Sequence, residues 1–120
     1  MDVKMKRAEK DKKAPLEYLI WPPLVQVALA MQSGAEKYGF RNWRDTGIHA
    51  STYAAAINRH VNLEWMTGVD ADKDTGVHPL AHVIASCLIV MDAESRGVLT
   101  DDRDKKEQNF PTIMDLAGDL

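Results

Sequence analysis

HPLAHVIASCLIVMDAESRG, residues 78–97, is the stretch on which the fold turns. Pro79 suits the first position of a helix, where the N–H it lacks would have no intrahelical partner. That choice places His78 at or near the N-cap and His82 one turn in. Gly97 supplies the stop after Arg96. Beyond His82 the run is apolar on nearly every side, which predicts a central, well-buried helix. Its Cys87 reads as an inert core thiol. Val83–Met91 is about half the length a bilayer crossing needs, so no membrane span is expected.

Upstream lies the acidic loop VDADKDTGV, and before it a second helix. This helix is predicted to start near Ser51 or Thr52, both good N-caps, and to run to Thr67 with Gly68 just past its end. Tyr53, Ala56, Ile57, Val61 and either Glu64 or Trp65 form its inner side. FRNWRDTGIHAS reads as a loop with turn residues Asn42, Asp45 and Gly47. Before that, Pro22-Pro23 introduces a first helix from Leu24 to about Lys37, closed by Gly39. Its stripe is Leu24, Val27, Ala28, Met31 and Ala35. No convincing strand and no internal repeat is found. The expected class is all-α, a small bundle of three main helices with short terminal ones. Three helices make a thin core for a chain 45% hydrophobic, so completion by a second or further copies, as a dimer or tetramer, is expected.

Residues 1–14 carry six cations against three acids and form a mobile arm with no apolar face. Residues 15–100 make the bundle, and residues 101–120 a charged tail with a short helix at Ile113–Leu120. The arm has no apolar run of the kind a secretory signal needs. One cysteine in 120 residues excludes an internal disulfide and fits a reducing cytoplasm. A net charge of −3 argues against nucleic acid as the main partner.

Two helical segments each hold a pair of ligand-type side chains one turn apart: His60 with Glu64, and His78 with His82. Residues four apart share a helix face, so each pair can converge on one point. A metal or polyphosphate site near Glu36, His60, Glu64 and His82 follows, with Asp72 or Asp74 able to add a carboxylate. Glu36, His60, Glu64 and His82, taken singly, each also read as an ordinary helical side chain. The DADKD loop lacks the closing Glu of a calcium hand, and calcium sensing is rejected. Carboxylates favour Mg²⁺ or Mn²⁺; a histidine-rich set favours Zn²⁺, Mn²⁺ or Fe²⁺. In KYGFRNWR, Lys37, Arg41 and Arg44 can neutralise phosphate, Trp43 can stack on a base and Asn42 can read its edge. A loop clamped by a core tryptophan explains Trp43 equally well. Arg59 is a further phosphate ligand, or pairs with Asp45 or Glu64. No P-loop, GxGxxG, GxSxG or HExxH is present.

GAEKYGFRNWRDTG and YAAAINRHVNLEWMTGVDADKDTGVHPLAHVIA together resemble the phage and bacterial dATP/dGTP diphosphohydrolases, relatives of the MazG-like all-α nucleoside triphosphate pyrophosphatases. The likeness spans residues 34–92 and rests on G-A-x-K-Y-G-x-x-N-W-R and R-H-x-x-x-x-W-x-x-G. It implies an oligomeric helical bundle that cleaves purine deoxynucleoside triphosphates to monophosphate and pyrophosphate. A divalent metal is implied, Mg²⁺ or Mn²⁺ first and Zn²⁺, Co²⁺ or Fe²⁺ after them. Glu36, His60, Glu64, Asp72 and His82 would hold it, activating a water for in-line attack. Glu64, Lys37 and Arg59 become the catalytic set, and Arg41, Asn42, Trp43, Arg44 and His78 bind substrate. The sequence departs from the relatives' EExxE and ExxD helices: HVNLE and PLAH put His60 and His82 where carboxylates stand. Two other classes stay open. One is an inactive nucleotide- or protein-binding module with a structural metal. The other is a DNA-binding accessory protein using the basic arm.

Overall fold

The computed structural model describes residues 13–104. After a single 3₁₀ turn at Leu16–Tyr18, helix α1 runs Trp21–Tyr38, α2 is one turn at Trp43–Thr46, α3 covers Ala50–Asn58 and α4 covers Pro79–Ser95. Pro22 and Pro23 sit in the first turn of α1, and Gly39 ends it at φ 100°, a value L side chains avoid.

Ala30 of α1 faces Ala81 and Ala85 of α4, with Val27 and Val77 sealing the seam and Leu24 and Met31 packed against it. Alanines at a helix crossing let the two backbones approach closely. Ala30 rather than Ala28 therefore completes the inner stripe, since Ala28 lies exposed one position round the helix. α3 also packs on α4, and Pro79 is the largest wholly buried side chain among the described residues.

Several further expectations need correction. The second helix is not α-helical throughout: Arg59–Glu64 widens into a π-helix and Trp65–Thr67 tightens into a 3₁₀ turn ending at left-handed Gly68. Its start is capped by neither Ser51 nor Thr52. Asp102 accepts the Ser51 N–H and its hydroxyl, so a distant carboxylate does the capping and complements the helix dipole. These hydrogen bonds hold the Asp102 carboxyl below the usual range. A short parallel ladder also exists, pairing β1 (Ile48–His49) with β2 (Leu99–Thr100). Gly47 admits it: at φ 71°, a Cβ there would sit 2.9 Å from the Val98 carbonyl oxygen.

α4 is central but not sheathed. Ile84, Leu88 and Met91 are exposed along one stripe, and Cys87 is exposed beside them rather than in the core. No helix among the described residues is long and apolar enough to cross a membrane. The arm up to residue 12 and the tail beyond residue 104, including the helix expected at 113–120, lie outside the described residues.

Candidate functional site

A cavity of about 580 Å³ opens between α1, the α3–π-helix segment, the 72–75 loop and α4. The π-helical turn lies along its wall. Such turns are rare and are frequently found at functional sites. Here the turn still presents His60 and Glu64 together, with His60 Nδ1 2.5 Å from Glu64 Oε1. Asp72 Oδ2 lies 3.8 Å from the same nitrogen. One ligand atom from each of His60, Glu64 and Asp72 falls within 4.8 Å of the others.

Asp72 is built to stay ionised. Burial pushes its carboxyl up, but the backbone N–H of Thr75, the Glu64 carboxyl, the N–H of Asp74 and the Thr75 hydroxyl together bring it below the usual range. The Glu64 and Asp72 carboxyl groups each bring an oxygen within 4.8 Å of the other's. Two carboxylates at that range repel unless a proton or a cation lies between them. The donor set, one imidazole and two carboxylates, fits a divalent cation.

His82 plays a different part. Its ring stacks on His60 with centroids 4.7 Å apart and planes 10° from parallel. Its Nε2 is 2.7 Å from Thr75 Oγ1. That hydroxyl also lies 3.1 Å from Asp72 Oδ1 and receives the Val77 N–H at 3.2 Å. A carboxylate only accepts, so the single hydroxyl hydrogen goes to Asp72, and Nε2–H of His82 must donate to Thr75. His82 thus supports the cluster from its side and is not among its three converging ligands. Burial, helped by the neighbouring charge of His60, pushes its pKa below the ordinary histidine value, with Lys37 adding a smaller push.

Residues 3–103 match the family described as dATP/dGTP diphosphohydrolase, N-terminal. The chain belongs to that family. It is also 35% identical, over 109 residues, to a protein of Salmonella phage PMBT28 named dATP/dGTP diphosphohydrolase. The match covers 90% of this chain and 36% of that relative, so the chain spans little more than a third of the relative's length. No solved structure matches.

Of the residues singled out from sequence, the fold brings His60, Glu64, Asp72, His82, Lys37, Arg59 and Asn42 to the cavity. Others it takes elsewhere. Glu36 is exposed and lines a neighbouring cleft with Gln32 and Gln26, apart from the carboxylate cluster, because it lies one position round α1 from the cavity wall. His78 is the N-cap of α4: its Nδ1 accepts the Leu80 N–H at 3.0 Å, and it does not line the cavity. Arg41, in a left-handed conformation at φ 53°, lies over the exposed Phe40 ring and does not reach the cavity either.

Trp43 and Arg44 are spent on structure. The Trp43 indole is 8% exposed, forming part of the cavity wall, and its Nε1 donates to Asp92 at 2.7 Å. Arg44 grips both oxygens of Asp92 at 2.9 Å, and Arg96 adds a third donor group at 3.2 Å. Arg44, then Trp43, hold the Asp92 carboxyl far below the usual range. The loop clamped by a core tryptophan is therefore the reading this geometry favours.

Sequence reasoning did not assign Thr75, Lys73 or Asp92 a role. Lys73 adds a cation to the cavity wall. The i, i+4 rule cannot find residues such as these, which a loop or a 49-residue separation brings into place.

Proposed function

We propose that the chain hydrolyses purine deoxynucleoside triphosphates, dATP and dGTP, to the monophosphate and pyrophosphate. The observation that carries this reading is the convergence of His60, Glu64 and Asp72 on one point inside a cavity that also holds Lys37, Arg59 and Lys73. Family membership and the name of the phage relative point the same way. His60, Glu64 and Asp72 would hold a divalent cation, Mg²⁺ or Mn²⁺, which when bound offsets triphosphate charge and lowers the pKa of the attacking water.

The protein's own residues divide the remaining work. Asp72, kept ionised by its loop, supplies permanent negative charge to the metal side. Glu64, wherever it is not engaged as a ligand, accepts the proton of the attacking water. Lys37, Arg59 and Lys73 carry positive charge that offsets the departing pyrophosphate. His82, held neutral by burial, keeps the His60 ring in plane by stacking without adding a competing cation. The reaction would take place in the cytoplasm, the host's where the chain is phage-encoded, and the exposed apolar stripe of α4 supports a homo-oligomer.

A panel of NTPs and dNTPs, with and without Mg²⁺ or Mn²⁺ and with products resolved, tests the reading. Monophosphate plus pyrophosphate from dATP and dGTP is the expected result, reduced at least about a hundredfold in Glu64→Gln. Folded protein that turns over no nucleotide would sink it.

A further inference from the structure

The cavity has two chemically different ends, and the second is not used by the cation cluster. Tyr53 lies seven residues before His60 on the same face of the same helix, so the two are about two turns, or roughly 10 Å, apart. Going the other way, α4 carries His82 at the cluster and Ile89 two turns on. α3 and α4 thus cross the cavity in opposite senses, each passing from one end to the other. Tyr53 and Ile89 therefore mark one end; Trp43, whose indole bonds Asp92 three residues beyond Ile89, belongs to that end with its neighbour Asn42, and Tyr38 lies near Tyr53.

This end is aromatic and neutral. Burial, then the nearby Tyr38, raises the Tyr53 phenol above its ordinary pKa, so it stays protonated. Tyr53 and the Asn42 side-chain amide have no hydrogen-bond partner among the described residues. The Trp43 wall is fixed, because Asp92 on α4 holds its indole N–H. A ring face, a free amide and a rigid apolar floor suit a planar heterocycle with donors and acceptors on its edge. The distance of roughly 10 Å to the carboxylates is about what separates a nucleobase from its phosphate chain.

We infer that Tyr53 and Asn42 form the base-binding end of the cavity. This rests on the nucleotide reading above and gives it a direction: base at Tyr53, phosphates at His60, Glu64 and Asp72. It also shifts base contact away from the Trp43 indole N–H, which is occupied, to Tyr53.

Binding, followed by NMR, tests the inference separately from turnover. With dAMP as the probe, the Asn42 side-chain amide and Trp43 indole signals should move, alongside any response of the Glu64–Asp72 region to its single phosphate. Magnesium tripolyphosphate, which has no base, should move the Glu64–Asp72 signals and leave those of Asn42 and Trp43 unchanged. Tyr53→Leu and Asn42→Ala should weaken dAMP binding about tenfold, a normal loss for one stacking or edge contact, and leave tripolyphosphate binding unchanged. Tyr53→Phe keeps the ring and should lose little, which guards against a folding defect in the leucine variant. If dAMP leaves Asn42 and Trp43 undisturbed, or binds Tyr53→Leu as tightly as wild type, the assignment is overturned even where hydrolysis is intact. If dAMP seats as described and no triphosphate is cleaved, the assignment stands and the hydrolase reading falls.

Discussion

A threonine hydroxyl has one hydrogen and two lone pairs, and at Thr75 all three are committed, to Asp72, Val77 and His82. Thr75→Ser keeps that set; Thr75→Val removes it and leaves Asp72 and His82 each one partner short, at a cost of about 1–3 kcal/mol. ¹⁵N NMR of the imidazoles should find His82 as the Nε2–H tautomer in wild type and Thr75→Ser, and no longer uniformly so in Thr75→Val. An Nδ1–H tautomer in wild type would contradict the hydrogen-bond assignment. Asp92 makes a pH prediction. Its pKa is depressed in the fold, so its contribution is complete above the unfolded carboxylate value near 3.8 and disappears as pH falls through the lower folded value. Melting curves below about pH 4 should fall more steeply for wild type than for Asp92→Asn, which has no charge to lose. At this scale the sequence was readable where chemistry follows helical spacing, as in His60 and Glu64. It was silent on Thr75, whose value comes from a loop turning back on itself, and it could not choose between base contact and core anchor for Trp43, because Asp92 lies 49 residues away.

Elements join at two places where small residues are required. Ala81 and Ala85 set the approach of α4 to α1, and a larger side chain there must push the helices apart. Ala85→Leu should cost about 1–3 kcal/mol in denaturant unfolding. Gly47→Ala meets both a positive φ and the Val98 carbonyl at 2.9 Å, so it should cost a similar ~1–3 kcal/mol and loosen the β1–β2 ladder. Amide exchange at Ile48, whose N–H bonds Val98 O at 3.1 Å, reports that loosening directly. An unchanged exchange rate would mean the ladder does not depend on Gly47. Helix ends were legible because Pro79, Gly39, Gly68 and Gly97 act locally on the backbone. The π-helical turn was not. RHVNLE carries an ordinary helical pattern, and nothing local in it announces i→i+5 pairing; the widening is visible only where that turn walls the cavity.

On the scale of the whole molecule, α4 presents two faces with different duties. His82, Ser86 and Ile89 line the cavity, whereas Ile84, Leu88 and Met91 form a stripe in water, 41%, 46% and 66% exposed. Three large apolar groups at helical spacing are costly to leave wet together, and Cys87 extends the same surface. The uniform apolarity that predicted a fully buried helix is therefore accounted for if a second copy covers this stripe, since one chain supplies cover for only part of α4. Sedimentation of wild type should show a dimer or larger species, and Leu88→Glu should shift it toward monomer by at least about tenfold in dissociation constant, because a buried carboxylate would lack a partner. Because Leu88 points away from the cavity, the variant monomer should still bind Mn²⁺ at His60, Glu64 and Asp72, measurable by calorimetry. A wild-type monomer would remove the covered-face explanation. A monomeric Leu88→Glu unable to bind the ion would mean that the second copy also shapes the site.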